Sequence, residues 1–287
     1  MGSGIDLAVA LVRGAVFITS LQAAGAALFA LLFARYLGPS AGAIRSLTLW
    51  SAGLALLLIV VRSALEPARM AGALGGVFDP FLRSLFWESA VSSAQLARLG
   101  GATLILISVR GEGRLYRGVA GLGIVLVVLS FPLMGHTRSH DSNGLLGALL
   151  AVHIFVAAFW FGALLPLLLC MRNGAGPALS ELLGAFSRLA VRLVPLLLVA
   201  GLVLGWVLLG TISALLSVYA LLLLIKLTAA IGLLLLAAAN KHKLTPGVAA
   251  GEGAAMLALR RSISAELALM VLILAATAIM TTLYSPV

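Results

Sequence analysis

Long apolar runs alternate with short polar segments from one end of this chain to the other, and eight of the runs reach membrane-spanning length. A helix needs about 20 mostly apolar residues to cross roughly 30 Å of hydrocarbon. The runs lie near residues 7–34, 46–65, 87–109, 117–136, 145–171, 188–211, 216–240 and 263–284. Backbone groups in hydrocarbon must pair within their own segment, so each run reads as an α-helix. The pattern predicts an all-α polytopic bundle of eight transmembrane helices, a single transmembrane domain over 1–287. The stretch from Glu66 to Phe86 is different, because Pro67, Gly75, Gly76 and Pro80 interrupt it too often for a span. It reads as a surface connector lying along the interface.

Composition agrees with this reading. Hydrophobic residues make up 62% of the chain and charged residues 10%, with a mean hydropathy of +1.19, which leaves too little polar surface to cover a soluble globule. The formal charge of +10 is therefore a matter of topology and not a sign of nucleic-acid binding. Arg35, Arg45, Arg110, Arg114, Arg117, Arg172, Arg188, Arg192, Lys241, Lys243, Arg260 and Arg261 all fall in or beside the first, third, fifth and seventh connections. The opposite side has Arg62, Arg69, Arg83 and Arg138, offset by Asp6, Glu66, Asp79, Glu88 and Asp141. Since basic residues are retained on the cytoplasmic side, both termini are expected to face outward. The opening MGSG has no basic n-region and no cleavage site, so the first apolar helix is expected to act as signal anchor. Spans three and seven each carry a base after an aromatic, Arg98 after Trp87 and Lys226 after Tyr219. That resemblance fits a four-plus-four parallel repeat about an axis along the membrane normal.

Against this apolar background, three of the four histidines stand together between Met134 and Trp160. Cys170 is the only cysteine, so the chain has no intramolecular disulfide and no CxxC motif, and a metal site must use histidine, methionine or carboxylate. His136 ends span four, His140 lies in the polar loop, and His153 sits in the outer half of span five, about 13 Å below its start. A short loop makes spans four and five antiparallel neighbours, so His136 and His153 are expected to converge at their outward mouth, with the Met134 thioether close by. Trp160 follows His153 by about two helical turns on the same face, which continues to Gly162 and Pro166. The small residue permits a close helix approach and the proline a kink.

Plainer readings stand beside these. His153 satisfies the cost of a polar ring in a span equally well by hydrogen bonding to another helix. His136 serves as a helix cap, His140 as a solvated loop residue, and Met134, Met70 and Met280 as packing residues. Cys170 with Met171 offers soft sulfur at the inner end of span five, or simply buried apolar volume. Arg13, Arg98 and Lys226 fall within spans, where an unpaired charge costs several kcal/mol. Asp6, Glu88 and Glu266 are the carboxylates within reach, and a haem propionate or a lipid phosphate would also serve, as would a pin between helices.

Several motifs in order extend the picture: the Gly135-His136 pair, His153-x6-Trp160-x-Gly162 followed by LLPL, Tyr219 to Lys226, and Asn240-KHKLT-Pro246. Together they resemble the copper resistance protein D (CopD) family, over a core of about 117–287. The resemblance implies an eight-span inner-membrane protein of bacterial copper handling that moves copper inward, with a separate periplasmic CopC-like copper-binding protein as partner. It implies His136 and His153 as copper-associated positions and Trp160 and Gly162 as residues that shape the site. Thr137 replaces the small residue usual after the Gly-His pair, and His140 lies outside the core pattern. The expected function is uptake of copper, as Cu(I), at a periplasm-facing histidine site between spans four and five, in support of copper homeostasis or resistance. Two rivals of other classes are a b-type haem protein of electron transfer and a non-transporting membrane partner of a periplasmic copper chaperone. No HExxH, GxSxG or P-loop pattern occurs, and no enzymatic activity is expected.

Overall fold

Leucine, alanine and valine dominate the runs and favour helix, while glycine, proline and serine mark their limits. The computed structural model describes residues 4–134, 143–172, 176–209 and 218–283. Its helices are α1 (Gly4–Phe33), α2 (Ala41–Ala71), α3 (Pro80–Glu88), α4 (Ala90–Ser108), α5 (Arg114–Leu129), α6 (Asn143–Arg172), α7 (Pro177–Leu209), α8 (Val218–Ala239), α9 (Thr245–Ala249) and α10 (Gly253–Leu283), and no strand occurs among the described residues. Local chemistry sets several ends. Asp79 accepts hydrogen bonds from the amides of Phe81 and Leu82, and Pro80 opens α3 where a missing N–H is harmless. Ser89 caps α4 through the amide of Ser92, and Gly72 closes α2 with a positive φ of 67°.

Seven helices among the described residues are long and apolar enough to cross a membrane, which makes this a multi-pass membrane protein. The expected span 117–136 is the one that does not appear among them. The predicted span 117–136 forms α5, whose 16 residues are followed by turn at 130–134. At about 24 Å it is shorter than the hydrocarbon thickness of about 30 Å. Two other boundaries shift outward, since α7 and α10 start at Pro177 and Gly253, earlier than the apolar windows at 188 and 263. The added segments carry Ser180 and Glu181 in α7 and Arg260 and Arg261 in α10, and a helix continues past hydrocarbon wherever its backbone bonds remain satisfied. The connector is corrected likewise: α2 runs through Glu66 and Pro67 to Ala71, and α3 follows as a short helix with Phe81 and Trp87 exposed.

α1 is the hub, packed against α2, α5, α6 and α10. Its buried run from Ser20 to Ala27 is mostly alanine and glycine, which lets neighbouring backbones come close. At one crossing, a Cβ on Gly25 would stand 2.0 Å from the Ala158 carbonyl oxygen and 2.6 Å from the Gly162 Cα of α6. At another, Arg13 donates to the Thr281 carbonyl at 3.0 Å and Gly14 lies against Ala278, so α1 and α10 are antiparallel and both described ends of the chain share one face. α5 returns along α4, with Arg98 beside Ser130 and Gly101 against Gly123. Away from the hub, Val199, Leu202 and Trp206 of α7 form an exposed apolar stripe suited to lipid.

Candidate functional site

The expected lengthwise pairing of the predicted fourth and fifth spans does not form. α5 packs on α4 and α1, and α6 on α1, α7 and α10; α5 and α6 meet near their ends, where Gly147 lies against Pro132. His136 and His140 fall outside the described residues. Met134, half-buried, sits in the turn after α5 with its amide bonded to the Phe131 carbonyl.

His153 is half-buried on α6 and faces α7. Its Nδ1 lies 3.0 Å from the Leu197 carbonyl oxygen. A carbonyl only accepts, so Nδ1 carries the proton and Nε2 keeps a lone pair, the tautomer suited to a ligand nitrogen. The ring fits because α7 has no side chain opposite it: a Cβ on Gly201 would stand 3.0 Å from Cε1. Lys226 of α8, also half-buried, is close enough for its charge to act on the ring. Among the described residues no three His, Cys, Asp or Glu side chains gather into a metal cluster.

Trp160, about two turns along α6 and 4% exposed, leads to a second polar centre. Its indole Nε1 donates to Glu266 Oε2 of α10 at 3.1 Å, and Asn240 Nδ2 donates to Glu266 Oε1 at 2.5 Å. The Asn240 Oδ1 is buried without a partner among the described residues. Asn240 is placed by a π-helical turn, Asn240–Leu244, which shifts the register between α8 and α9. These three side chains line a cavity of about 330 Å³ between α6, α7, α8 and α10. One end holds Lys241 and His242; the other is bounded by Val194, Pro195 and Leu198, the turn whose Leu197 carbonyl takes the bond from His153. The histidine itself does not line the cavity; it meets the same turn of α7 whose Leu198 does. In the sequence Glu266 reads as a counter-ion for one of the bases in the spans; its signal as a cavity residue was the Trp160 and Asn240 motif pair, which lie far apart in the chain.

Gly162 forms the crossing with Gly25 already described, and Gln22 of α1 donates to its carbonyl at 3.2 Å. Cys170 and Met171 are buried among core hydrophobes. The charges expected in the spans lie elsewhere. Arg98 is fully buried, its Nε donating to Ser130 Oγ at 3.0 Å and its guanidinium 4.4 Å from the Phe131 ring centroid. Arg13 reaches Thr281 and Thr282. The carboxylate in their neighbourhood is Glu66, left in the connector by the sequence reading but in fact 6% exposed and paired with Arg69 at 2.6 Å.

Neither the curated proteins nor the solved structures give a match. Residues 180–280, which supply most of α7, all of α8 and α9 and most of α10, match the family model described as copper resistance protein D. The walls of the cavity on three sides, with Asn240 and Glu266, fall within that match, so this part of the chain is similar to the CopD family.

Proposed function

We propose that this protein takes Cu(I) at a periplasm-facing site built on His153 and passes it between α6 and α7 toward the cavity of Trp160, Asn240 and Glu266. The carrying observation is that His153 bonds the turn of α7 whose Leu198 lines a cavity walled by the CopD-matched helices. Imidazole nitrogen and thioether sulfur suit reduced copper, so His136, His140 and Met134 are the candidates to complete the outer site beside His153. The Lys226 charge opposes tight retention of a cation there, as release to a next site requires. At the other end, the Glu266 carboxylate and the unpartnered Asn240 oxygen offer a polar landing within apolar walls. Trp160 and Gly162 shape this path, the first by holding Glu266 and the second by seating α6 on α1.

The reading uses eight crossings with both termini in the periplasm. Its support is that α1 and α10 end at one face, which demands an even number of passes, so α5 with its following turn serves as the eighth. The excess of loop arginine and lysine on the other face agrees. A separate periplasmic copper-binding protein of the CopC type would deliver the ion to the outer site.

Substitution at His153 separates a ligand from a helix pin. His153→Asn keeps a side-chain donor for the Leu197 carbonyl but supplies a poor copper ligand, whereas His153→Ala loses both. Purified protein titrated with Cu(I) under reductant is expected to lose about tenfold or more in affinity in both variants, a loss of about 1.4 kcal/mol. The unfolding midpoint should fall in the alanine variant alone. Unchanged copper affinity in His153→Asn would overturn the assignment.

A further inference from the structure

Apart from the cavity, the half of the molecule that carries both described ends holds one half-buried and two buried guanidinium groups. Arg13 of α1, Arg62 of α2 and Arg98 of α4 come from three different helices; Arg62 is 3% exposed and Arg98 0%. The guanidinium carbons of Arg13 and Arg98 stand 5.5 Å and 5.8 Å from the centroid of one ring, Phe17. The charge of Arg62 acts on both. Like charges gathered this way repel in a medium of low dielectric, and each also loses hydration.

The described residues neutralise them only in part. Among these, Glu66 is the carboxylate whose charge reaches Arg13 and Arg62, and Arg69 already binds it through Nη2 at 2.6 Å and Nε at 2.8 Å. Donors are left over as well: Arg13 Nε, Arg62 Nε and Nη1, Arg98 Nη1 and Gln95 Nε2 are all buried without a hydrogen-bond partner among the described residues. Gln95, 2% exposed, lies one turn from Arg98 on α4. A buried unpaired donor costs about 1–3 kcal/mol, and more when charged. A cation would aggravate the repulsion, and a neutral ligand would leave it in place. The ligand chemistry that removes both penalties is an anion with several acceptor oxygens, and guanidinium forks match phosphate geometry. One turn beyond Arg62, Glu66, Arg69, Met70, Glu88 and Ser89 help line a vestibule of about 410 Å³ at the ends of α2 and α3.

We propose that Arg13, Arg62, Arg98 and Gln95 form a binding site for a phosphate-type oxyanion, entered through the vestibule of Glu66, Arg69 and Ser89. Phosphate chemistry reaches this face either as free phosphate or as the headgroup of an anionic lipid. The test uses the full chain in neutral detergent, stripped of lipid, with inorganic phosphate as one probe and phosphatidylglycerol in phosphatidylcholine nanodiscs as the other. Saturable binding of one phosphate per chain, absent with chloride at equal ionic strength, supports a free oxyanion. Retention of phosphatidylglycerol by native mass spectrometry, without phosphate binding, supports the headgroup. In either case Arg62→Gln and Arg98→Gln should each weaken the interaction about tenfold or more, as loss of charge-assisted hydrogen bonds requires, while exposed Arg83→Gln leaves it intact. Should Arg98→Gln fail to fold, Arg62→Gln and Gln95→Leu carry the same comparison. Absence of binding in both arms, or binding undiminished in Arg62→Gln, overturns the proposal.

Discussion

Gln22 donates its side-chain amide to the carbonyl of Gly162, the one carbonyl in that turn of α6 that Pro166 leaves without its helical partner. Proline has no N–H to return to the residue four before it, so a proline inside a helix exposes an acceptor that hydrocarbon cannot satisfy. A polar residue on α1 supplies the missing donor from outside. The Gln22 amide is 4% exposed and sits beside the Gly25–Gly162 crossing, so the same contact that brings the backbones together makes this repair reachable.

Gln22→Leu should therefore lower stability by about 1–2 kcal/mol, the cost of one buried acceptor left unpaired. The informative comparison is the double variant. In a Pro166→Ala background the Gly162 carbonyl regains a backbone donor, and the penalty for Gln22→Leu should shrink to near zero. Unfolding midpoints of the four proteins in one detergent give the coupling directly; additive penalties would show that Gln22 does something other than replace the missing N–H.

The crossing itself makes a sharper steric prediction. Gly25→Ala and Gly162→Ala both place a methyl group inside 2.7 Å of backbone atoms on the facing helix, which cannot swing aside as a side chain would. Each should cost more than the usual 1–3 kcal/mol of overpacking. Gly118→Ala in α5 and Gly205→Ala in α7 meet nothing within 4 Å and should gain about 0.5–1 kcal/mol from helix propensity. Thermal unfolding of the four variants, read by circular dichroism, checks the sign of each.

The helices were legible because hydrophobicity over a window reports the bilayer directly, and the boundary errors at α7 and α10 arose where polar residues continue a helix beyond it. Side-chain partnerships were not legible in the same way. Trp160 stood out by its spacing from His153, yet its partner Glu266 lies 106 residues away and reads in isolation as a charge near a helix start. The role of Glu66 was hidden by Pro67, which signals a break in sequence but is carried inside α2. Neighbour relations misled for a similar reason: a short loop argues for packing between α5 and α6, but the glycine and alanine face of α1 offers α6 a closer partner. The site residues that could be read were those whose spacing lies within one helix. Those requiring two or more helices to meet could not be.

Glu266 stands at the centre of the cavity with two donors fixed on it, which gives its substitution a specific outcome. In Glu266→Gln one carboxylate oxygen becomes an amide nitrogen, and whichever way the amide turns, it confronts the indole N–H of Trp160 or the amide of Asn240 with another donor. On the proposed path the inner landing loses its charge while His153 is untouched. Copper affinity at the outer site should stay within about twofold, and copper movement into reconstituted vesicles should drop about tenfold or more, equivalent to roughly 1.4 kcal/mol on the barrier. A matched fall in both would place Glu266 in the binding site itself; full transport would remove it from the path. Trp160→Phe, which keeps the ring and deletes the N–H, should reproduce part of the transport loss, because Glu266 then has one fewer group to orient it.

Gly201 offers a way to perturb the outer site without removing any candidate ligand. Its missing side chain makes the space in which the His153 ring lies, and a Cβ there would come within 3.0 Å of Cε1 and 3.2 Å of Nδ1. Those contacts are with a side chain and not a backbone, so the ring can move by a few tenths of an ångström and the helix can survive the change. Gly201→Ala should leave folding nearly intact, since alanine also favours helix, while stretching the bond from Nδ1 to the Leu197 carbonyl and turning Nε2 away from its present direction. Where His153 is a copper ligand, affinity should fall by about threefold to tenfold, because ligand orientation and tautomer are set by that second bond. Where His153 is only a pin between α6 and α7, Cu(I) titration should give the wild-type affinity in Gly201→Ala, and the pair of variants Gly201→Ala and His153→Asn would then agree in excluding it from the metal site.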